Sequence, residues 1–318
     1  MTIQWFPGHM HATKKALLER VKTIDVVVEM VDARLPGSSA NPMLKQLMDG
    51  LPSLKVLNKQ DLADPVRTQQ WLDHFNAQPG TQAVALDLAQ HNPWRLIRQA
   101  CEGLAPQRGT MLKPLRVLIG GVPNVGKSTL INSLMGKKSA KTGDEAGVTK
   151  QEQRYLVSDT FYVYDTPGVL WPRIVVPESG YLLAASGAVG RNAYDEEVVA
   201  LHFLDHLRRD YPESLIQRYK LKVSAQAVSE QASDHWLNEI GRKRGGLMAG
   251  GRIHLQKAAE VLLTDFRSGT LGRMTLETPA LFEAWLAAGT AEDARRQAEK
   301  QAKQAARSGR RQAPPDKP

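Results

Sequence analysis

The chain has 318 residues, 42% of them hydrophobic and 24% charged, ordinary for a soluble globular protein with one full α/β domain and a smaller one. Its one cysteine, Cys101, excludes an internal disulfide; the opening Met1-Thr2-Ile3-Gln4-Trp5 lacks the layout of a secretory signal, and no apolar run has membrane-spanning length, so a cytoplasmic protein without a membrane partner is expected. The formal net charge of +9 is compatible with a polyanion such as RNA, and equally with a solvated basic surface.

In chain order, the pattern predicts a helix over 11–21 and strands over 24–31 and 54–57. A helix over 65–75, a strand over 83–86 and a helix over 93–101 follow. Residues 107–114, rich in Gly, Pro and basic side chains, read as a linker. Beyond it come a strand over 115–119, a helix over 127–134 and an edge hairpin of strands 154–157 and 161–164. Strand-length runs alternating with helices argue for a mainly parallel α/β sheet. After Trp171-Pro172 only helices are expected, among them 195–207, 233–240 and 252–267. The last should bury Ile253, Ala258, Val261, Leu262 and Phe266. From Glu292 the chain is mostly Ala, Gln, Lys and Arg, and is expected to be a partly helical, largely disordered basic tail. The expected organisation is an α/β domain over 1–175, an all-α domain over 176–290 and the tail over 291–318.

Gly121-Val122-Pro123-Asn124-Val125-Gly126-Lys127-Ser128 matches G-x-x-x-x-G-K-S between a predicted strand and a predicted helix, the context its chemistry needs. Backbone N–H groups of such a loop close around phosphates, and the helix N-terminus adds positive potential. Pro123, Asn124, Val125, Gly126, Lys127, Ser128 and Thr129 are therefore candidate nucleotide contacts. Lys127 would reach the β- and γ-phosphates and Ser128 would hold Mg²⁺. A simple glycine-rich turn is the weaker reading.

Asn58-Lys59-Gln60-Asp61 is an N-K-x-D sequence at the end of an apolar strand. Asp61 is placed to accept from guanine N1 and N2, a donor pair that adenine lacks, which disfavours ATP. Alone it would pass for a strand-to-helix turn; beside a phosphate loop, Asn58, Lys59 and Asp61 read as a guanine site for GTP or GDP. Asp165-Thr166-Pro167-Gly168 carries meaning only by position, after the phosphate loop and at a strand end. There Asp165 would meet Mg²⁺ through water and the Gly168 N–H would sense the γ-phosphate. Thr149 is the candidate for completing the metal shell.

The N-K-x-D element normally comes late in a GTPase, yet here it precedes the phosphate loop by about sixty residues. The order therefore describes a circularly permuted P-loop GTPase domain. Val169 stands where many GTPases place a water-orienting glutamine, and valine cannot orient water. His9, after the turn-forming Pro7-Gly8, is a candidate for that role, although an exposed or capping histidine near a helix start fits the sequence better.

The segments Trp5-Phe6-Pro7-Gly8-His9-Met10 and Asp32-Ala33-Arg34, the early N-K-x-D, the phosphate loop and Asp165-Thr166-Pro167-Gly168-Val169-Leu170-Trp171-Pro172 together resemble the ribosome biogenesis GTPase A family, over roughly residues 1–290. The resemblance implies a GTPase that assists late assembly of the large ribosomal subunit and is activated by the precursor particle, with a helical C-terminal domain on ribosomal RNA. It also implies that His9 is the catalytic histidine and that Asn124 supports a K⁺ ion. The base-backing stretch departs from the family's small residues, reading Ala85-Leu86-Asp87-Leu88-Ala89. Residues 241–290 hold 7 Lys/Arg against 4 Asp/Glu, and there Arg242, Lys243, Arg244, Arg252, Lys257 and Arg273 are candidate RNA-phosphate contacts. Rival readings are a regulatory GTPase without a ribosomal partner and an RNA-binding protein whose nucleotide is only structural.

Overall fold

The computed structural model describes residues 3, 17–47, 50–88, 93–135, 153–166, 168, 170, 171 and 173–311. Among them six strands form one sheet: β1 Val26–Asp32, β2 Ser53–Asn58, β3 Thr81–Leu86, β4 Leu115–Gly121, β5 Gln153–Ser158 and β6 Phe161–Asp165. Their order is β3-β2-β1-β4-β6-β5, and only the β5–β6 hairpin is antiparallel. All the expected strands are present.

The centre of the sheet explains the rotated motif order. β1 pairs with β2 from Val27↔Ser53 to Asp32↔Asn58, and with β4 from Val26↔Val117 to Met30↔Gly121. Strands distant in sequence are thus neighbours. β1 reads Val-Val-Val-Glu-Met-Val-Asp and is buried throughout, as a parallel strand covered on both faces should be. Its buried Glu29 is neutralised by an ion pair with Lys55 of β2 and accepts the Asn41 N–H at 2.6 Å.

Helices α1 Pro36–Ser39 and α2 Pro42–Leu47 follow β1, and α3 Pro65–Asn76 follows β2. α4 Pro93–Leu104 joins β3 to β4, and α5 Lys127–Met135 follows β4. α3 starts where the sequence says: Pro65 opens it, and the Asp64 carboxylate caps the Val66 and Arg67 N–H groups. Of the predicted helix over 11–21, residues 17–21 are helical and 11–16 lie outside the described residues.

Beyond residue 175 come α6 Pro177–Ser186, α7 Glu196–Asp210, α8 Pro212–Tyr219, α9 Ala225–Glu230, α10 Ser233–Lys243, α11 Leu255–Arg267 and α12 Pro279–Arg311. Two expectations change here. α11 begins at Leu255, because Ile253 bridges Leu247 across a turn with left-handed Gly250 and Gly251 (φ 78 and 76). Its buried stripe is Ala258, Ala259, Leu262, Leu263 and Phe266, with Ile253 and Val261 only half-buried. The expected tail is continuous helix to Arg311, crossing residue 291 without a break. Its Ala, Gln, Lys, Arg and Glu content favours helix, and i,i+4 pairs such as Arg296–Glu292 and Gln297–Asp293 add to it.

The two halves share one apolar core. Val28, Met30 and Ile119 of the sheet join Leu170, Ile174, Leu182, Phe203, Leu262 and Phe266 in a single buried cluster. Residues 268–278 then form a strap back across the sheet half. Met274 N–H donates to Leu62 O at 3.0 Å and Leu276 N–H to Arg34 O at 2.7 Å, while Trp71 Nε1 donates to Glu277 O at 3.0 Å.

Candidate nucleotide site

Asp32, Asn58, Gly121 and Asp165 all sit at the carboxyl ends of parallel strands, along one edge of the sheet. Ligands bind α/β sheets at this edge, where strand order changes direction. The phosphate loop leaves β4 through Gly121 (φ 149), where a Cβ would lie 2.4 Å from Met30 O, so only glycine fits against β1. Gly126 (φ 105) is equally constrained, since a Cβ there would lie 2.4 Å from Asn58 Nδ2.

That second contact joins the two motifs. Asn58 Nδ2 donates to Val125 O at 2.7 Å, tying the N-K-x-D element to the phosphate loop. Asn58 Oδ1 is buried without a partner among the described residues. Lys59 turns through the left-handed region (φ 64) into a 3-10 turn over Gln60–Leu62, on which Asp61 stands exposed. Leu88, from the stretch expected to back the base, comes within 3.1 Å of where a Gly126 Cβ would be. The sequence did not single it out, and its spacing after β3 was the available signal.

Lys127 is buried, and its Nζ donates to Gly121 O and Val122 O at 3.0 and 2.7 Å, inside its own loop. Burial pushes the ammonium down to about 8, against the attraction of Asp165. Burial likewise pushes Asp165 up to about 6, against the attraction of Lys127. Both Asp165 carboxylate oxygens are buried without a hydrogen-bond partner among the described residues. Two orphaned anionic oxygens, with the Ser128 hydroxyl in the first turn of α5, are donors that a hard divalent cation takes. Gly168 closes the group, since a Cβ there would lie 3.2 Å from Lys127 Nζ. Pro123 packs against Gly168, and Thr129 is exposed. His9, Thr149 and Val169 lie outside the described residues.

Asp32-Ala33-Arg34 stood in the sequence only as part of a resemblance. The fold makes it a buried ionic support for the N-K-x-D element. Asp32 accepts from Arg34 Nε and Nη2 at 2.9 and 2.8 Å and from Lys59 Nζ at 2.9 Å. Burial alone would raise this carboxyl, but the two cations outweigh it and hold it well below the usual range. Arg34 Nη1 also donates to Phe266 O at 2.9 Å, joining this network to α11.

The basic candidates of the helical half differ in how committed they are. Arg242 pairs with Glu239, Arg244 donates to Arg218 O at 3.1 Å, and Lys257 Nζ donates to Gly245 O at 3.1 Å. Lys243 and Arg252 are exposed. The Arg273 guanidinium is turned onto the sheet half, donating to Ala63 O and Gln60 O at 2.8 and 3.1 Å.

Known proteins resemble this chain over most of its length. The family model for a 50S ribosome-binding GTPase matches residues 116–236. Ribosome biogenesis GTPase A of Bacillus cereus is 41% identical over 289 residues, 89% of this chain and 96% of that protein. The protein of the same name from Priestia megaterium is 41% identical over 288 residues, 88% of this chain and 98% of that protein. Mitochondrial ribosome-associated GTPase 1 of Mus musculus is 31% identical over 292 residues, 86% and 90% of the two chains. The solved structure of GNP-bound YlqF from T. maritima shares the fold, with a TM-score of 0.58 at 24% identity over 84% of this chain and 97% of that one. A GDP-bound YlqF structure gives 0.62 at 23% identity, over 83% and 99%. With its N-K-x-D element bonded to the G-x-x-x-x-G-K-S loop despite the rotated order of the two, the chain is a circularly permuted GTPase and belongs to the ribosome biogenesis GTPase A family.

Proposed function

We propose that the chain is a GTP-hydrolysing assembly factor for the large ribosomal subunit, which acts in the cytoplasm, binds ribosomal RNA through its helical half and is stimulated by the precursor particle. The observation that carries this reading is a bond between the nucleotide loop and the helices. Asn124, in the left-handed region (φ 58), donates from Nδ2 to Gly187 O at 2.8 Å. Gly187 ends α6, and Arg267 of α11 donates to Ala184 O and Ala185 O beside it. A shift of the phosphate loop on gaining or losing the γ-phosphate therefore has a direct route into the helical half.

In this reading Lys127 leaves its loop carbonyls for the phosphates and Gly168 senses the γ-phosphate. Ser128, Asp165 and Thr149 would hold Mg²⁺, which when bound neutralises phosphate charge. A K⁺ ion would fall to Asn124. His9 would orient the attacking water that Val169 cannot. The exposed Lys243 and Arg252, and the basic C-terminal part of α12, would meet RNA phosphates, with Arg242, Arg244, Lys257 and Arg273 available only on leaving their present partners.

Two measurements test this. Co-sedimentation with large-subunit precursors should require a non-hydrolysable GTP analogue and fail with GDP; equal behaviour with both nucleotides rejects a nucleotide-gated assembly role. GTP turnover by His9→Ala should lose its stimulation by large subunits. Full stimulated activity in that variant would assign the water to another group.

A further inference from the structure

We propose that Arg273, on the strap returning from the helical half, is a positioning residue for guanine selectivity: it holds the turn that presents Asp61 to the base. This rests on Asp61 being the guanine acceptor. The turn has little support of its own. It is closed by Leu62 N–H to Lys59 O at 3.0 Å and Ala63 N–H to Gln60 O at 3.2 Å, and a lone 3-10 turn has poor hydrogen-bond geometry. Its entry residue, Lys59, already occupies a backbone region that costs a side-chain-bearing residue energy.

The missing support arrives from the far end of the chain. Arg273 donates from Nε to Ala63 O at 2.8 Å and from Nη2 to Gln60 O at 3.1 Å. Met274 N–H donates to Leu62 O at 3.0 Å. Thr275 Oγ1 accepts the Asp64 N–H at 3.2 Å and donates to Ala33 O at 2.9 Å. Gly269 packs so closely that a Cβ there would lie 2.5 Å from Leu62 Cδ2. Carbonyls on both sides of Asp61 are thus tied, while Asp61 itself stays exposed. A guanidinium suits the task because its rigid fork reaches two carbonyls at once, which an ammonium does less well.

The test compares GDP with inosine diphosphate, which lacks the 2-amino group, by displacement of a fluorescent GDP analogue. Arg273→Ala should weaken GDP about tenfold and inosine diphosphate about threefold, narrowing the ratio of the two, because a mobile Asp61 loses a donor that inosine never offered. Arg273→Lys should give an intermediate ratio. A residue that merely stabilises the fold would weaken both nucleotides by one factor; a ratio at the wild-type value overturns the proposal. Asp61→Ala separates the two levels of the claim. If it leaves the ratio unchanged, the guanine reading of Asp61 fails and the Arg273 role with it; if it collapses the ratio while Arg273→Ala does not, only the Arg273 role fails. Should Arg273→Ala not fold, Arg273→Lys and Arg273→Gln carry the same ratio test.

Discussion

Glu277 shows how a single side chain can join two halves of a molecule. It is fully buried, accepting Ser38 N–H at 2.7 Å and Ser38 Oγ at 2.5 Å. Burial pushes its carboxyl up to about 7, against the pull of those donors and with a small push from Asp32. A raised carboxyl pKa means the folded protein takes up a proton before the unfolded chain does. Its stabilising contribution is therefore complete below about 4.5 and lost as the pH rises through about 7. Glu277→Gln should remove that dependence, so its stability relative to the wild type should rise by the order of 2 kcal/mol between about pH 5 and pH 8. Thermal melts of both proteins without nucleotide check this, and parallel curves would reject it. Motif spacing marks Lys127, Asn58 and Asp165 as candidates from the sequence alone. It cannot reveal Glu277, because the partner Ser38 lies more than two hundred residues earlier.

Among the elements, α12 departs furthest from expectation. Residues 294–311 hold 7 Lys/Arg against 1 Asp/Glu, and helical spacing puts positions 296, 300, 303, 307 and 310 on one face. Arg296, Lys300 and Lys303 are exposed. Composition marked this stretch as basic and polar, which describes disorder as well as it describes a solvated helix. What favours the helix is its start, where Phe282 packs against Trp71 and extends an already nucleated helix outward. Replacing Arg296, Lys300 and Lys303 together by Gln should keep the helical signal in circular dichroism. It should also flatten the salt dependence of ribosomal RNA binding by about 2 to 3 in log–log slope. An unchanged slope would remove this face from the RNA contact surface.

For the whole molecule, permutation predicts a dispensable linker. Met111 and Leu112 are exposed at 76% and 95%; among the described residues the turn over 109–113 bonds within itself, through Gly109 N–H and Thr110 N–H to Lys113 O, while the preceding Arg108 pairs with Asp25 at 2.9 Å. The halves on either side are held by the β1–β4 ladder and by Arg116 N–H to the Asp25 carboxylate at 2.9 Å. Cutting a protease site engineered into 109–112 should leave one nucleotide-binding particle by size exclusion, with GDP affinity changed less than about threefold. Separation of the fragments would contradict it. The sequence by itself determined the strands and the helices over 65–75, 93–101 and 127–134, and marked three candidate nucleotide motifs, because these depend on local periodicity and on chemistry confined to a few adjacent residues; it missed the short helices Pro36–Ser39 and Pro42–Leu47. It also implied the permutation, since motif order is a sequence property. Only the tertiary structure decided that Asp32 neutralises Lys59, that the strap from 268 to 278 grips the N-K-x-D turn, and that Asn124 reaches Gly187. Each of those joins groups whose sequence separation carries no periodic signal, so nothing short of the folded chain brings them within hydrogen-bonding distance.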